Sequence, residues 1–435
     1  MPWWIFQAAV LAREAVDGLT HKIVLDNFDN LQYAMSIEFG GQKLSVVADT
    51  GSSDLVLPAS NCTTCDERFR RFNPQLSATF RPEYARHEFE YGDGTSTKGF
   101  LGNDTLQMGT LTVPDQSAVL FDEYRSEVYM ITDGILGLAH HFADDKKPNE
   151  RTVLYSIFQS NPRLQAQFAF FLTSQPNEDS FLIFGDTEAE NFAKEPVRFG
   201  KSFFMHKTEL WITSVYSIGW SGTGSEVTFP EHGTLGAPAM IDSGTSYIVL
   251  RGDLYDKVAK VLLEYLPDCR EVFEGDGLEC GCPSGTGYEI SDTVAGAAML
   301  PSFHVDVFQE NDDVFSLCLE PKEYLLPTMR HGRPTCIPTF SRGSEKQPVP
   351  IVLGMAFLRA YFTVFDVAHQ RIGFARSVAS PGAPGAKCRV ESHPLMYRVE
   401  WWCSVSLAVA AILFAFYVVA TWPGKPPTGV QPLIP

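Results

Sequence analysis

One unit of sequence occurs twice in this chain, and that duplication narrows the open folds more than any other feature. Val46-Val-Ala-Asp49-Thr-Gly-Ser-Ser53 reads onto Ala239-Met-Ile-Asp242-Ser-Gly-Thr-Ser246. Each copy is an apolar run ending in Asp, then hydroxyl, Gly and hydroxyl, and a further apolar run follows, Leu55-Val-Leu57 or Tyr247-Ile-Val-Leu250. A second pair of related segments lies downstream, Gly134-Ile-Leu-Gly137-Leu138 after the first copy and Ile351-Val-Leu-Gly354-Met-Ala-Phe357 after the second. Self-similarity in fixed order describes two halves built on one plan. Each half carries one carboxylate at the junction between a strand and a turn.

Between these markers the chain reads as short β-rich runs bounded by turn residues, such as Tyr33-Ala-Met-Ser-Ile-Glu-Phe39, Phe168–Leu172, Phe181–Phe184 and Phe362–Phe365. The 34 Gly and 28 Pro fit that frequency of turns. Helical periodicity is confined to stretches such as Val153–Phe158 and Leu254–Leu266. The predicted class is all-β, with a seam in the polar stretch Gly185–Pro196 and a long loop insertion over Pro267–Leu300. The 435 residues then divide into an N-terminal lobe (23–190) and a C-terminal lobe (191–376). The charge sum, 34 basic minus 52 acidic residues, is −18. Without a basic run, such a surface repels phosphate backbones and argues against nucleic acid as a partner.

A lone Asp-Ser-Gly or Asp-Thr-Gly usually marks a turn. Two copies with matching flanks are far more specific. Gly51 and Gly244 permit a tight turn and the close approach of an extended substrate. Ser52 and Thr245 are placed to donate to the outer oxygens of Asp49 and Asp242. Thr50 and Ser243 are placed to bond across the pseudo-twofold axis and lock the two loops together. Carboxylates held a few ångström apart resist double ionisation and share a proton. One then serves as general base toward a bridging water, and the other protonates or hydrogen-bonds the scissile carbonyl. That chemistry hydrolyses a peptide bond with no metal, cofactor or covalent intermediate, and none is expected here.

From Ile23 to Arg376 the chain resembles the pepsin family of aspartic endopeptidases. The resemblance rests on both Asp motifs, on Tyr91-Gly-Asp-Gly94, on Asp133-Gly-Ile-Leu-Gly-Leu-Ala139 and on Ile351-Val-Leu-Gly354 with Tyr361-Phe-Thr-Val-Phe-Asp366. It implies a bilobed, all-β fold with a substrate cleft between lobes, and a monomer acting on extended peptide or protein substrates. It also implies a flap hairpin carrying Tyr91, Gly92 and Asp93, which closes over the bound strand. Asp93 reads first as a hairpin turn residue and second as a selector of basic side chains. The family often has Trp seven residues after the first Asp, where this chain has Val56. The membrane-anchored β-secretase branch shares that departure and has Asp-Ser-Gly as its second motif, so this chain leans toward that branch. The resemblance further implies a small disulfide loop at Cys62 and Cys65, and a C-terminal-lobe disulfide joining Cys280 or Cys282 to Cys336. Cys269, Cys318 and Cys388 remain unassigned by sequence. Zinc at Cys280 and Cys282 with Cys62 and Cys65 is disfavoured by the spacing. His140-His141, after the Leu-Gly motif, reads as solvated loop rather than as a metal site.

Trp401–Trp422 contains no charged residue over 22 positions. As a helix it would span about 33 Å, enough to cross a hydrocarbon core of about 30 Å. Tryptophans at its ends suit the two interfaces. The expected organisation is a linker (377–400), a single transmembrane helix (401–422) and a short tail (423–435). A buried core helix and a glycolipid-anchor signal are the alternatives; the polar tail after Trp422 disfavours the second. Lys387, Arg389 and Arg398 before the span would, by charge alone, place the large domain in the cytosol. Against this stand the sequons at Asn61 and Asn103, candidate glycosylation sites, and the even count of eight cysteines before the span. The catalytic domain is therefore expected in a lumenal or extracellular space, whether secretory, endosomal, vacuolar or at the cell surface. Residues 1–22 read as an atypical signal or a truncated pro-region, too short for a signal plus a full propeptide.

Two functions compete, an active, membrane-tethered endopeptidase and a silent homologue that binds peptide in the same cleft. Silent relatives usually lose an Asp or alter the adjacent Gly or hydroxyl. Asp49, Gly51, Ser52, Asp242, Gly244 and Thr245 are all present, which favours activity.

Overall fold

The structure is a computed structural model that describes residues 19–90, 94–126, 130–140, 152–175, 177–203, 210–229, 236–272, 276–282, 300–330, 332–345, 347–384 and 388. The chain divides into two units, Met1–Arg389 and Val390–Pro435. The second, with the apolar stretch 401–422, lies outside the described residues. Among those described, no helix is long and apolar enough to cross a membrane.

The duplicated motifs become a duplicated topology. In the first half, Gln42–Asp49 runs parallel to Gly134–Gly137, which pairs antiparallel with Leu55–Pro58, itself parallel to Leu111–Arg125. In the second, Ala237–Ile241 runs parallel to Ile351–Leu353, which pairs antiparallel with Ile248–Arg251, itself parallel to Phe340–Gly343. Strands that bear the aspartates therefore sit inside their sheets and are covered on both faces. That explains why Val46, Val47 and Ala48, and Ala239, Met240 and Ile241, are uninterrupted apolar runs rather than alternating ones.

The repeated Leu-Gly also acquires a physical reason. A Cβ on Gly137 would lie 2.5 Å from the Asp54 nitrogen, and one on Gly354 would overlap the carbonyl oxygens of Thr245 and Tyr247. In each half the loop that follows the aspartate packs on this backbone, so only glycine fits.

A run of six strands joins the halves, in the order Arg198–Gly200, Arg371–Arg376, Tyr361–Asp366, Gln167–Phe171, Ser180–Gly185 and Thr20–Phe28. It belongs to a 13-stranded sheet that continues into the first half. Aromatic rings fill its core: Phe168 stacks on Phe365 with centroids 4.7 Å apart, and Trp211 stands edge-on to Phe365 at 5.0 Å. The second half adds an eight-stranded and a four-stranded sheet. Helices cover Val153–Ser160 and Gly252–Tyr265, where the sequence showed helical periodicity. The seam holds the short helix Ala189–Phe192, whose Phe192 packs on Phe362 across the junction.

The stretch Pro267–Leu300 differs from its sequence reading as a loop. Its described part contains the strands Arg270–Val272 and Gly277–Gly281, which join Arg333–Pro338 and Leu325–Arg330 in the four-stranded sheet. Two disulfides fix it, Cys269–Cys280 and Cys282–Cys336. Cystines rather than apolar alternation specify these short strands.

Candidate active site

Asp49 ends its strand opposite Gly137, and its carbonyl accepts from the Leu138 amide at 2.6 Å. Asp242 follows directly on the strand Ala237–Ile241, and its amide donates to the Leu353 carbonyl at 3.1 Å. Both aspartates are buried. Each sits in the same frame of donors. The Gly51 amide donates to Asp49 Oδ1 at 2.8 Å, and Ser52 Oγ donates to Asp49 Oδ2 at 2.5 Å. The Gly244 amide donates to Asp242 Oδ1 at 2.8 Å, and Thr245 Oγ1 donates to Asp242 Oδ2 at 2.6 Å.

The loops are also bolted to each other. Thr50 Oγ1 donates to the Ile241 carbonyl at 2.8 Å and accepts from the Ser243 amide at 2.9 Å. Ser243 Oγ donates to the Ala48 carbonyl at 2.6 Å and accepts from the Thr50 amide at 3.0 Å. All these groups are buried, where a fully satisfied polar network is rigid and specific. The glycines are the reason that the carboxyls can meet. A Cβ on Gly51 would fall 2.6 Å from Asp242 Oδ1, and one on Gly244 would overlap Asp49 Oδ1.

The two carboxyls face each other closely enough for each to meet a Cβ placed on the opposite loop's glycine. Burial pushes the Asp49 pKa well above the ordinary carboxylate range, and the neighbouring Asp242 charge pushes it further. The hydrogen bonds from Ser52 and Gly51 oppose the rise without cancelling it. A proton is therefore retained on the pair under conditions that ionise an isolated aspartate. A water held between two such groups has a base on one side and an acid on the other.

Tyr91, Gly92 and Asp93 lie outside the described residues. The strands that flank them, Arg81–Glu90 and Ser96–Met108, form an antiparallel hairpin with Glu90 opposite Ser96. Val56 is buried within its strand. Disulfides join Cys62 to Cys65 and Cys318 to Cys388, so the pairing of all eight cysteines before the apolar stretch is assigned. Cys280 pairs with Cys269, leaving Cys282 to Cys336. Asn61 is exposed, whereas Asn103 is half-buried in a strand and its side-chain Nδ2 donates to Asp115 Oδ1 at 3.0 Å.

Trp211 carries no signal in the sequence, and His140 is placed otherwise than the sequence suggests. Trp211 Nε1 donates to the Leu138 carbonyl at 2.8 Å and so ties the second half to the loop that supports Asp49. His140, read as solvated loop, is instead buried with its ring centroid 3.5 Å from that of Trp211. Burial lowers its pKa to about 4. Neither residue belongs to the duplicated unit, and their contact spans the two halves, so no local pattern signals it. His141 lies outside the described residues.

Two lobes that each lend a carboxylate to one buried pair define an aspartic peptidase. The family model described as eukaryotic aspartyl protease matches residues 32–377. Among curated proteins, the chain is 28% identical over 364 residues to pregnancy-associated glycoprotein 2 of Bos taurus, covering 81% of this chain and 84% of that protein. It is 27% identical over 381 residues to vacuolar protease A of Neurospora crassa, covering 85% and 84%. It is 28% identical over 373 residues to cathepsin D of Dictyostelium discoideum, covering 82% and 86%. The chain belongs to the eukaryotic aspartyl protease family and is a pepsin-like aspartic endopeptidase.

Proposed function

We propose that Asp49 and Asp242 are the catalytic pair of this endopeptidase, acting through a shared proton and an activated water. The reciprocal frame about Thr50 and Ser243, with the raised Asp49 pKa, is the observation that carries this reading. In the resting pair one carboxyl keeps its proton and the other is ionised. The ionised group takes a proton from the water as it attacks the scissile carbonyl. The protonated group donates to the carbonyl oxygen, so the tetrahedral intermediate is neutralised as it forms. Collapse of that intermediate passes a proton to the leaving nitrogen. Ser52, Thr245 and the amides of Gly51 and Gly244 orient the carboxyls throughout. Tyr91, Gly92 and Asp93 are assigned to the flap over the bound strand. Both aspartates come from one chain, so a monomer suffices.

The intact Gly and hydroxyl positions support activity over silent peptide binding. A denatured protein incubated with the enzyme between about pH 3 and 6 should be cut, and pepstatin should stop the cutting. No turnover across that range in a folded sample would favour the binding module.

We further propose that the lobes, 23–190 and 191–376, are tethered by a linker (377–400) to a membrane helix at 401–422, with a tail at 423–435. The uncharged length of that segment supports the tether, and the β-secretase-like departure at Val56 accords with it. Four disulfides and the exposed sequon at Asn61 favour a lumenal or extracellular catalytic domain. The full chain should stay with membranes after alkaline carbonate washing, while a chain ending before 401 should be released. Release of the full chain by the same wash would reject the tether.

A further inference from the structure

The second half carries a group of ligand-type side chains on the sheet face turned away from its apolar core. His304 and Asp306 lie on the strand Phe303–Phe308, where Phe303, Val305 and Val307 point into the core. Both are buried all the same, at 2% and 0% exposure. Next to this strand runs Ile212–Trp220, and beyond it the short strand Glu226–Thr228. The register aligns His304 with Gly219, and Gly219 with Glu226. Cross-strand partners share a face, so the imidazole and the Glu226 carboxylate stand either side of a residue without a side chain. Nothing from Gly219 separates them. A ligand atom from each of Glu226, His304 and Asp306 falls within 4.8 Å of the other two, and His304 Nε2 is 3.9 Å from Asp306 Oδ2.

We propose that Glu226, His304 and Asp306 form a divalent-cation site, suited to Zn2+, that braces the Glu226–Thr228 strand against the C-terminal-lobe sheet. Two carboxylates and a neutral imidazole carry a formal charge of −2, which a divalent ion neutralises. One nitrogen and two oxygen ligands, with a water in the fourth position, suit zinc better than calcium, which takes an all-oxygen shell. Asp306 is held as metal-binding carboxylates are: Ser217 Oγ donates to its Oδ2 at 2.5 Å, and Ser316 Oγ donates to its Oδ1 at 2.6 Å. Glu226 is exposed and gives the ion a path from solvent. None of the three residues belongs to the aspartate frame, so an ion bound here leaves the peptide chemistry alone.

The competing reading is an ordinary ion pair, with a protonated His304 between two carboxylates and no affinity for metal. Titration of Zn2+ into the chelator-treated full chain at neutral pH separates the two. The Asp242→Asn background guards against self-cleavage during the experiment. The site predicts one equivalent of bound zinc, a zinc-dependent rise in Tm, and visible d–d absorption when Co2+ replaces Zn2+. Glu226→Gln, at an exposed position, should fold normally and weaken zinc binding by about tenfold or more. Placed in the otherwise wild-type chain, it should leave peptidase activity unchanged. His304→Gln should abolish zinc binding; if that variant does not fold, Glu226→Gln decides alone. Absence of saturable binding at one equivalent, or an affinity unmoved by Glu226→Gln, would overturn the proposal.

Discussion

Asp49 is a carboxyl whose surroundings favour the proton, and that has a consequence for stability as well as catalysis. Its pKa is raised by burial and by the Asp242 charge, so the folded chain holds this proton more tightly than the unfolded chain does. The associated stability is present below the ordinary aspartate value of 3.8 and is lost as pH rises through the raised value. Asp49→Asn removes the titration while keeping the shape. Its Tm should therefore gain on the wild type as pH is moved from acid to neutral and above, a comparison that scanning calorimetry makes directly. A gap that stays constant with pH would show that the pair costs nothing to ionise. The residues of this frame are legible because each has a chemical match in the other copy: Thr50 and Ser243 are both hydroxyls, Gly51 and Gly244 are identical, and Ser52 and Thr245 are again both hydroxyls. Trp211 was not legible, because an isolated Trp leading into a strand has many uses, and its partner Leu138 is 73 residues away.

At the scale of elements, the duplicated unit specified more than two aspartates. Each copy fixed a parallel pair, an antiparallel pair and a glycine at their crossing, so the local topology around the dyad was contained in the repeat. The segment 267–300 behaved differently. Its strands are three and five residues long and rich in Glu, Gly and Cys, so no alternation announces them, and cystines hold what apolar packing does not. The turn after Leu138 differs from its sequence reading for a related reason. A His-His pair looks solvated, yet the second half lays Trp211 across His140 and removes it from water. The folded state then binds fewer protons than the unfolded one as pH falls from about 6.5 to about 4, and stability falls with it. His140→Phe keeps an aromatic ring against Trp211 and cannot charge. Thermal melts should show this variant gaining on the wild type through that window and running parallel to it at neutral pH. Parallel curves at every pH would mean that water reaches the imidazole in the folded protein.

For the whole molecule, the two titrations oppose each other: acid favours the proton on Asp49 and disfavours the neutral His140. The net charge of −18 adds a third pH dependence. Its carboxylates repel one another near neutrality, and partial protonation in acid relieves that repulsion. If that surface is matched to the working pH, activity should peak in mild acid, and an optimum near neutrality would count against it. Activity should accordingly fall on the alkaline side as the pair loses its shared proton. If two carboxylates, one from each half, perform the hydrolysis together, loss of either should silence the enzyme. The decisive measurement is kcat/KM for a peptide substrate at acidic pH, for wild type, Asp49→Asn and Asp242→Asn, with circular dichroism to verify folding. Each variant should fold and lose at least about a thousandfold in kcat/KM, since base and acid act as one unit. A folded Asp49→Asn or Asp242→Asn chain that still turns over substrate within tenfold of the wild type would show that the hydrolysis does not need both carboxylates.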